Sequence, residues 1–580
     1  MDAREAAGRE GSGAGAGGLM MRAATIWLAA LAVLAAVGVA ATLLWRPFSV
    51  TDFFFYQQDL PAAGLCLVLF AGLVMLTGAS GLPAWAEFEV RESWVFVAAG
   101  AAVLVAWAGA RVVCDNYGLS ADEFLAQFDA RILGAGRLAA PVPPEWRGHL
   151  SALQPVYLGP AGKAHWVSFY LPVNSAFLAL GSALGSQSLV PAIWAGVAVL
   201  AAYGVARRLW PDQRDAAPVA ALLVATSPQM LITAMTPFAM PAHLAANLVW
   251  LWLVLRGGRW GQGLATIVAF LACGIHQIVF FPLFAAPFVL EMWLARRWRV
   301  ALLHTTALAV ILAFWNIYPA LRLHLLDAAA TGGAAQAESA IDQALRMLAR
   351  FNVDGAGLLA KNLFRFVTWQ SLVTVPLMLL AAPAAWRAGG PQRALLLCFI
   401  VTGLAMFLLS PFQGHGWGYR YFHGLIGSAA LLAAWGWSRA REGLDASGRR
   451  RASAVMTAAL AASALVLLPF RAWQAHAFVQ PYAEAAEKLL NSGAEVLLID
   501  DTGMWYGQVL LRNDPFLAPP VMLYLPNLDI RQVRQVCARH RVRLYAGETI
   551  GPVNPADATP SAHVAQLRGL LRQLHCGEPL

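Results

Sequence analysis

The stretch that decides the fold class is residues 24–44, which read ATIWLAALAVLAAVGVAATLL. It carries no charged residue, and about 20 apolar residues are what an α-helix needs to cross a bilayer. Similar runs recur along the chain, and they predict an all-α polytopic membrane bundle of about 13 transmembrane helices. The predicted spans are residues 24–44, 60–78, 94–113, 190–206, 216–233, 238–255, 264–277, 279–294, 302–318, 372–385, 394–409, 425–437 and 454–470.

The composition also indicates lipid as the solvent for this chain. Hydrophobic residues make up 59% of its 580 positions and charged residues only 13%, whereas soluble domains carry about 25% charged residues. The net charge of +9 is spread over short basic clusters between apolar runs, which is the pattern of positive-inside bias. A soluble globular protein and a nucleic-acid partner are therefore excluded, and membrane lipids are the predicted surroundings.

Basic clusters also predict the topology. Residues 168–184 are apolar but contain Pro172 and Asn174, and a crossing there would invert every later basic cluster. We therefore predict an interfacial helix at 168–184, and by the same argument two tight crossings within 264–294. Residues 1–22 are then a flexible cytoplasmic segment, while the loops 114–188 and 320–371 and the tail 471–580 lie on the outer face.

The first outer loop contains the best candidate for a catalytic residue. Ser120 followed by Glu123 forms a capping box at a helix start, which explains Glu123 and leaves Asp122 available. A carboxylate kept ionised by a helix N-terminus at a membrane interface suits a general base or a ligand of a divalent metal. The alternative is that both carboxylates only complement the helix dipole.

A second candidate site is residues 413–423, which read QGHGWGYRYFH. Arg420 is suited to grip a phosphate, glycines let backbone N–H groups approach it, and aromatic rings suit sugar faces. We therefore expect substrate contacts from Arg420 and its neighbours Tyr419, Tyr421, His415 and His423. The alternative is an interfacial anchor loop, in which aromatic residues and a snorkelling arginine are common.

Weaker candidates for substrate binding are Arg137, Lys163, His165, His243 and His276. Each of the last two is more often a structural histidine than a ligand. The second outer loop has Ile341, Leu345 and Leu348 at helical spacing and the basic pairs Arg346/Arg350 and Lys361/Arg365. It predicts amphipathic helices on the bilayer surface, with recruitment of an anionic lipid carrier as the alternative.

The tail after residue 470 alternates helical and strand patterns. Strands are predicted at 495–499, 521–525 and 542–545, with helices at 482–490, 505–511, 530–540 and 562–574, which together predict a small C-terminal α/β periplasmic domain. No nucleotide-binding fingerprint is present. Cys537 and Cys576 are candidates for a disulfide in an oxidising compartment, although the sequence gives no distance between them.

The order of these features resembles the GT-C superfamily of membrane glycosyltransferases, in particular the bacterial relatives of protein mannosyltransferases and aminoarabinose transferases. The segments that carry the resemblance are SADEF at 120–124 with residues 127–138, SFYLPVN at 168–174, ARRLW at 206–210, Ser227-Pro228 and GWGYRYF at 416–422. The resemblance implies a GT-C-like core over residues 93–470, preceded by two extra spans in residues 23–92. It also implies that Asp122 is the catalytic base or a metal ligand, with Glu123 as its companion, and that the donor is a polyprenyl-phosphate sugar.

The sequence thus favours an inverting glycosyltransferase on the outer face of a bacterial inner membrane, with a lipid, glycan or protein as acceptor. A divalent metal is possible, and no other cofactor is indicated. The transferase hypothesis expects Asp122 and Arg420 in one outward-facing cavity, about 10 Å apart, to leave room for a sugar phosphate. The alternatives are a transporter or flippase of a lipid-linked or sugar substrate, with ionisable residues in broken helices at mid-membrane, and a non-catalytic scaffold, which would leave the two residues far apart.

Overall fold

The computed structural model describes residues 16–44, 49–78, 92–153, 158–161, 164–325, 355–409, 412–546, 550 and 559–580. Within these ranges, seven helices are long and apolar enough to cross a membrane: Met20–Leu44, Val50–Thr77, Glu92–Val112, Leu189–Leu209, Trp298–Arg322, Gly390–Leu409 and Ala446–Leu490. The prediction of a helical membrane protein is thereby confirmed. The count of about 13 crossings stays a prediction, because the other predicted spans coincide with shorter helices.

The described helices and strands follow one another in a long helical series that ends in a small mixed region. The helices are α1 (Ala16–Leu44), α2 (Val50–Phe54), α3 (Leu60–Gly78), α4 (Glu92–Val112), α5 (Ala121–Gly134), α6 (Leu150–Leu153), α7 (Val173–Ala183), α8 (Leu189–Leu209), α9 (Ala216–Ala225), α10 (Pro228–Thr233), α11 (Met240–Arg256), α12 (Gly258–Cys273), α13 (Phe280–Leu294), α14 (Trp298–Leu325), α15 (Gly355–Thr368), α16 (Thr374–Ala388), α17 (Gly390–Leu409), α18 (Ile426–Glu442), α19 (Ala446–Ala462), α20 (Leu468–Leu490), α21 (Ile530–Arg539) and α22 (Ala562–Gln573). The strands are β1 (Ala140–Pro141), β2 (Leu158–Ala161), β3 (His165–Ser168), β4 (Val496–Ile499), β5 (Val521–Tyr524), β6 (Val542–Tyr545) and β7 (Glu578–Pro579).

Three local breaks shape the bundle. A π-helical turn, Phe55–Asp59, joins α2 to α3. The predicted span 216–233 is divided into α9 and α10, because Ser227 caps α10 by accepting a hydrogen bond from the backbone N–H of Met230 and Pro228 opens that helix. Residues 264–294 fall in two helices, α12 and α13, and the prediction that each crosses the bilayer stays a prediction.

The predicted interfacial helix is shorter than its apolar stretch. Residues 165–168 belong to β3, and α7 begins at Val173 and has 11 residues. A helix of that length is about half of what a bilayer crossing needs. Backbone N–H groups of Leu171 and Val173 donate to the carbonyls of His276 and Gly274, at 3.1 and 3.0 Å, so the start of α7 is tied to the turn between α12 and α13.

The tail carries a four-stranded parallel sheet with the strand order β5-β4-β6-β7. All four residues of β4 are buried, which is typical of a strand covered on both faces. The tail is continuous with the bundle, because α20 runs on to Leu490 as one helix where the sequence predicted a span and a separate helix. Cys537 and Cys576 form a disulfide.

The tail and the first predicted outer loop share one apolar core. Buried residues of α5 and of β1 to β3 belong to the same cluster as buried residues of β4, β5, α21 and α22. Trp166 Nε1 donates to the carbonyl of Pro515 at 2.8 Å, and Asn513 Nδ2 donates to the carbonyl of Leu153 at 3.2 Å. The tail therefore supports α5, the helix that begins at the candidate catalytic carboxylate.

Candidate active site

Asp122 lies in the first turn of α5, beside the capping box that the sequence predicted. The Ser120 hydroxyl accepts a hydrogen bond from the backbone N–H of Glu123 at 3.3 Å, and Glu123 Oε2 accepts one from the backbone N–H of Ser120 at 2.6 Å. This confirms the capping box and turns the buried Glu123 back onto the chain. The Asp122 side chain is left to face the rest of the bundle.

Asp122 meets Arg420 and Tyr170, which lie far away in the sequence. Arg420 Nη1 donates to one carboxylate oxygen, and the Tyr170 hydroxyl donates to the other. The Asp122 and Arg420 side chains are 13% and 12% exposed, so the pair is largely shielded from solvent. The two predicted centres therefore share one site. The expected separation of about 10 Å is wrong, because opposite charges in a poorly hydrated environment attract each other into contact.

Gln413 sets the position of Arg420. Its Oε1 accepts a hydrogen bond from the backbone N–H of Arg420 at 2.9 Å, its Nε2 donates to the carbonyl of Gly418 at 3.1 Å, and its own carbonyl accepts from Arg420 Nη2. Gly418 has a φ of +69°, and a Cβ there would lie 2.4 Å from the Gln229 side chain. Gly418 therefore allows close packing against Gln229, whereas its predicted role was to let backbone N–H groups approach a phosphate.

The segment around Arg420 is an interior element. Tyr419 and His423 are buried at 0% and 1% exposure, and the half-buried Tyr421 donates its hydroxyl to the carbonyl of Phe412 at 3.2 Å. His415 is enclosed by aromatic rings, with Trp417 and Phe478 at centroid distances of 4.7 and 5.6 Å. The alternative of an anchor loop in the headgroup region does not fit this burial.

His276 completes the wall beside Asp122. Its ring stacks on Tyr170 at a centroid distance of 4.1 Å. Arg420, whose Nη1 donates to the Asp122 carboxylate, is the cation that balances Asp122.

The two carboxylates of the capping region have opposite pKa shifts. Burial acts to raise the pKa of Asp122, but the charge of Arg420 and the hydrogen bonds from Tyr170 and Arg420 outweigh it and hold that pKa below its ordinary value. Burial raises the pKa of Glu123 to about 7, because the hydrogen bonds from Ser120 compensate only in part. Asp122 is the ionised member of the pair across the neutral range.

A divalent metal does not fit the surroundings of Asp122. Both of its oxygens accept hydrogen bonds, and the guanidinium of Arg420 supplies the positive charge that a cation would otherwise bring. In the described ranges, no group of three His, Cys, Asp or Glu side chains is arranged to hold a metal ion. His243 and His423 are both buried, and the His243 ring lies 5.6 Å from that of Phe280.

Of the remaining candidates, Arg137 contacts the tail and His165 pairs with another strand of the first loop. Arg137 is exposed and its guanidinium carbon lies 5.9 Å from the ring centroid of Phe516. His165 is half-buried in β3, opposite Pro141. Lys163 lies outside the described residues, as do Ile341, Leu345, Leu348, Arg346 and Arg350 of the second loop.

Sequence reasoning missed two buried ion pairs between α15 and the segment that runs from α2 to the π-helical turn. Lys361 Nζ donates to Asp52, which also accepts a hydrogen bond from the Thr42 hydroxyl at 2.8 Å. Arg365 pairs with Asp59 at 3.7 Å. The prediction that Lys361 and Arg365 face a bilayer surface is wrong, because α15 packs between the two N-terminal helices and buries both cations. The spacing was a usable signal. The two acidic residues, Asp52 and Asp59, are seven positions apart, and the two basic residues are four apart, so each like-charged pair lies on one helical face.

Arg512 of the tail is a second residue that sequence reasoning missed. Its Nη1 donates to the carbonyl of Gly118 at 2.7 Å, and its Nη2 donates to Gln127 Oε1 at 3.1 Å. The guanidinium carbon lies 4.3 and 4.9 Å from the ring centroids of Tyr117 and Phe124. Arg512 thus holds the segment on both sides of Asp122.

The fold has a counterpart among solved structures. A crystal structure of ArnT from Cupriavidus metallidurans bound to undecaprenyl phosphate aligns with a TM-score of 0.51 at 12% identity, over 84% of this chain and 90% of that chain. The apo form of the same protein aligns with a TM-score of 0.44 at 12% identity, over 84% and 89% of the two chains. No protein-family model and no curated protein matches the chain. The first likeness shows that this chain shares the fold of that protein over most of its length.

Proposed function

We propose that this chain is an inverting membrane glycosyltransferase that moves a sugar from a polyprenyl-phosphate donor to an acceptor hydroxyl. The observation that carries the proposal is the shielded cluster of Asp122, Arg420 and Tyr170. It brings together an ionised carboxylate, a guanidinium and a phenol from three separate chain segments. Glycosyl transfer from a phosphate ester requires groups of this kind, a base for the acceptor and a cation for the leaving phosphate. The shared fold with a protein crystallised with undecaprenyl phosphate supports the same class of donor.

In the proposed reaction, the acceptor oxygen attacks the anomeric carbon as the bond from that carbon to the phosphate oxygen breaks. The acceptor hydroxyl replaces Tyr170 as the hydrogen-bond partner of Asp122. Because the pKa of Asp122 is lowered, its carboxylate stays available and takes the proton late, once the forming bond has made the hydroxyl acidic. The polyprenyl phosphate leaves with the bonding pair, and Arg420, no longer neutralised once Asp122 has taken the proton, stabilises the charge that develops on it.

The disulfide and the shared core support a periplasmic location for the tail and the site. A disulfide between Cys537 and Cys576 is expected in an oxidising compartment such as the bacterial periplasm. The first loop packs on the tail that carries it, so Asp122 faces the same side. We therefore place the tail and the site in the periplasm, the chain in the bacterial inner membrane, and the acceptor among periplasmic lipids, glycans or proteins.

The proposal is tested by incubating the full chain in proteoliposomes with undecaprenyl-phosphate mannose or aminoarabinose and an inner-membrane lipid extract. We expect a labelled product with inverted anomeric configuration and equimolar release of undecaprenyl phosphate. Release of the phosphate without any glycosylated product, or a product with retained configuration, would contradict the proposed single displacement.

A further inference from the structure

Two buried arginines share one carboxylate beside the proposed active site. Arg365 and Arg471 lie 3.7 and 3.3 Å from Asp59, and all three side chains are at most 2% exposed. Asp59 belongs to the π-helical turn that joins α2 to α3, ahead of the GT-C-like core. One positive charge is therefore in excess at this buried position, and burying an unbalanced charge is costly unless an anion joins it.

The hydrogen-bonding capacity of the two arginines differs. Arg471 donates to the carbonyl and hydroxyl of Thr368 at 3.1 and 2.8 Å and to the carbonyl of Gln58 at 3.1 Å. Among the described residues, Nε, Nη1 and Nη2 of Arg365 all have no hydrogen-bond partner. Arg365 is thus the guanidinium with donors to spare.

Further donors lie around Arg365. Its guanidinium carbon is 4.2 Å from the ring centroid of Phe54, and that ring lies 5.8 Å from His415. His415 in turn lies 4.7 and 5.8 Å from the rings of Trp417 and Tyr506. Over the part of the chain that the structure describes, both His415 ring nitrogens, Trp417 Nε1 and the Tyr506 hydroxyl are buried without a hydrogen-bond partner. These groups suit a ligand that is rich in acceptor oxygens.

We propose that Arg365 is the centre of a phosphoryl-binding site, with His415, Trp417 and Tyr506 as neutral donors and Asp59 as the residue that positions the guanidinium. The assignment rests on the proposed function in taking the ligand as the phosphate of the lipid-linked donor. Arg420 is neutralised by Asp122 and Arg471 is hydrogen-bonded to the backbone, so Arg365 holds the unbalanced charge. A phosphate monoanion removes that excess, and its oxygens match the planar fork of the guanidinium.

The site is tested by ligand-dependent thermal unfolding of the full chain in detergent, without any sugar. The probes are undecaprenyl phosphate, the uncharged undecaprenol with the same tail, and inorganic phosphate. The variants are R365Q, R365K and R393Q. The last is the control, because Arg393 on α17 forms an ion pair with Glu291 on α13 and is not part of the proposed site. We expect undecaprenyl phosphate to stabilise the wild type and R393Q, undecaprenol and inorganic phosphate to have no effect, and R365Q to bind the phosphate lipid about tenfold or more weakly.

R365K separates the effect of charge from the effect of hydrogen-bond geometry, because lysine keeps the positive charge but lacks the planar guanidinium. Intermediate binding by R365K supports the site and guards against loss of folding in R365Q. Wild-type binding by R365Q would overturn it and leave the chemistry proposed for Asp122 untouched. Stabilisation by inorganic phosphate alone, lost in R365Q, would assign the site to free phosphate and overturn the lipid assignment.

Discussion

Arg512→Met removes the contact through which the tail holds the segment around Asp122. The substitution keeps an apolar stem but deletes two charge-assisted hydrogen bonds, to Gly118 at 2.7 Å and to Gln127 at 3.1 Å, and two ring contacts. At about 1–1.5 kcal/mol for each hydrogen bond and about 0.5 kcal/mol for each ring contact, the loss is about 3–4 kcal/mol. The start of α5 is then free to move, and a displacement of about 1 Å costs on the order of 10²-fold in rate.

The assay is transfer in proteoliposomes, with turnover and the Michaelis constant measured separately for R512M, R512K and the exposed control R534M. We expect turnover to fall by about 10²-fold in R512M with little change in the Michaelis constant for the donor, because Arg512 acts through Asp122. R512K should recover part of the rate, and R534M should match the wild type. Wild-type turnover in a folded R512M would refute the idea that the tail positions the catalytic helix.

Three further outcomes are expected. Burial raises the pKa of Glu123 from 4.5 to about 7, so the folded chain holds the proton more tightly than the unfolded chain. The free energy of unfolding should therefore fall by about 3 kcal/mol as the pH rises through this window. Denaturant titrations of E123Q should lack this fall with pH. K361M leaves the buried carboxylate of Asp52 unpaired and should destabilise the chain by about 3–5 kcal/mol, whereas the charge-free double variant K361M/D52L should lose much less; equal losses in urea unfolding would contradict the ion-pair account. In intact cells after mild reduction, a membrane-impermeant maleimide should label Cys537 and Cys576, and labelling only after lysis would place the tail in the cytoplasm.

The fold class could be predicted from the sequence because its signal is local. The composition of a run such as 24–44 is enough to indicate a lipid environment, and the capping box of Ser120 and Glu123 involves residues only three positions apart. The spacing and order of the motifs led to the expected membrane-bundle fold, and a solved structure shares that fold over 84% of this chain. Local patterns also placed β4, β5 and β6 of the tail, because four consecutive buried residues such as those of β4 form a short apolar run, whereas the two-residue β7 was not predicted.

Long-range pairing explains what could not be predicted. Lys361 meets a partner 309 positions earlier in the chain, and basic residues at i,i+4 look the same on a lipid surface as in a buried interface. The direct contact of Asp122 with Arg420, 298 positions apart, has the same origin: sequence patterns named both residues as candidates but contain no distance. The packing of the tail on α5 through Arg512 likewise depends on contacts that no local pattern encodes.

The most direct test of the central claim is the transfer rate of D122N beside D514N in proteoliposomes supplied with a polyprenyl-phosphate sugar. Both substitutions remove one carboxylate charge from an ion pair, but Asp514 pairs with Arg131 at the surface, with side chains 31% and 60% exposed. The account predicts that D122N loses about 10²–10⁴-fold in turnover while D514N stays within about twofold of the wild type. Turnover of a folded D122N within about twofold of D514N would contradict it.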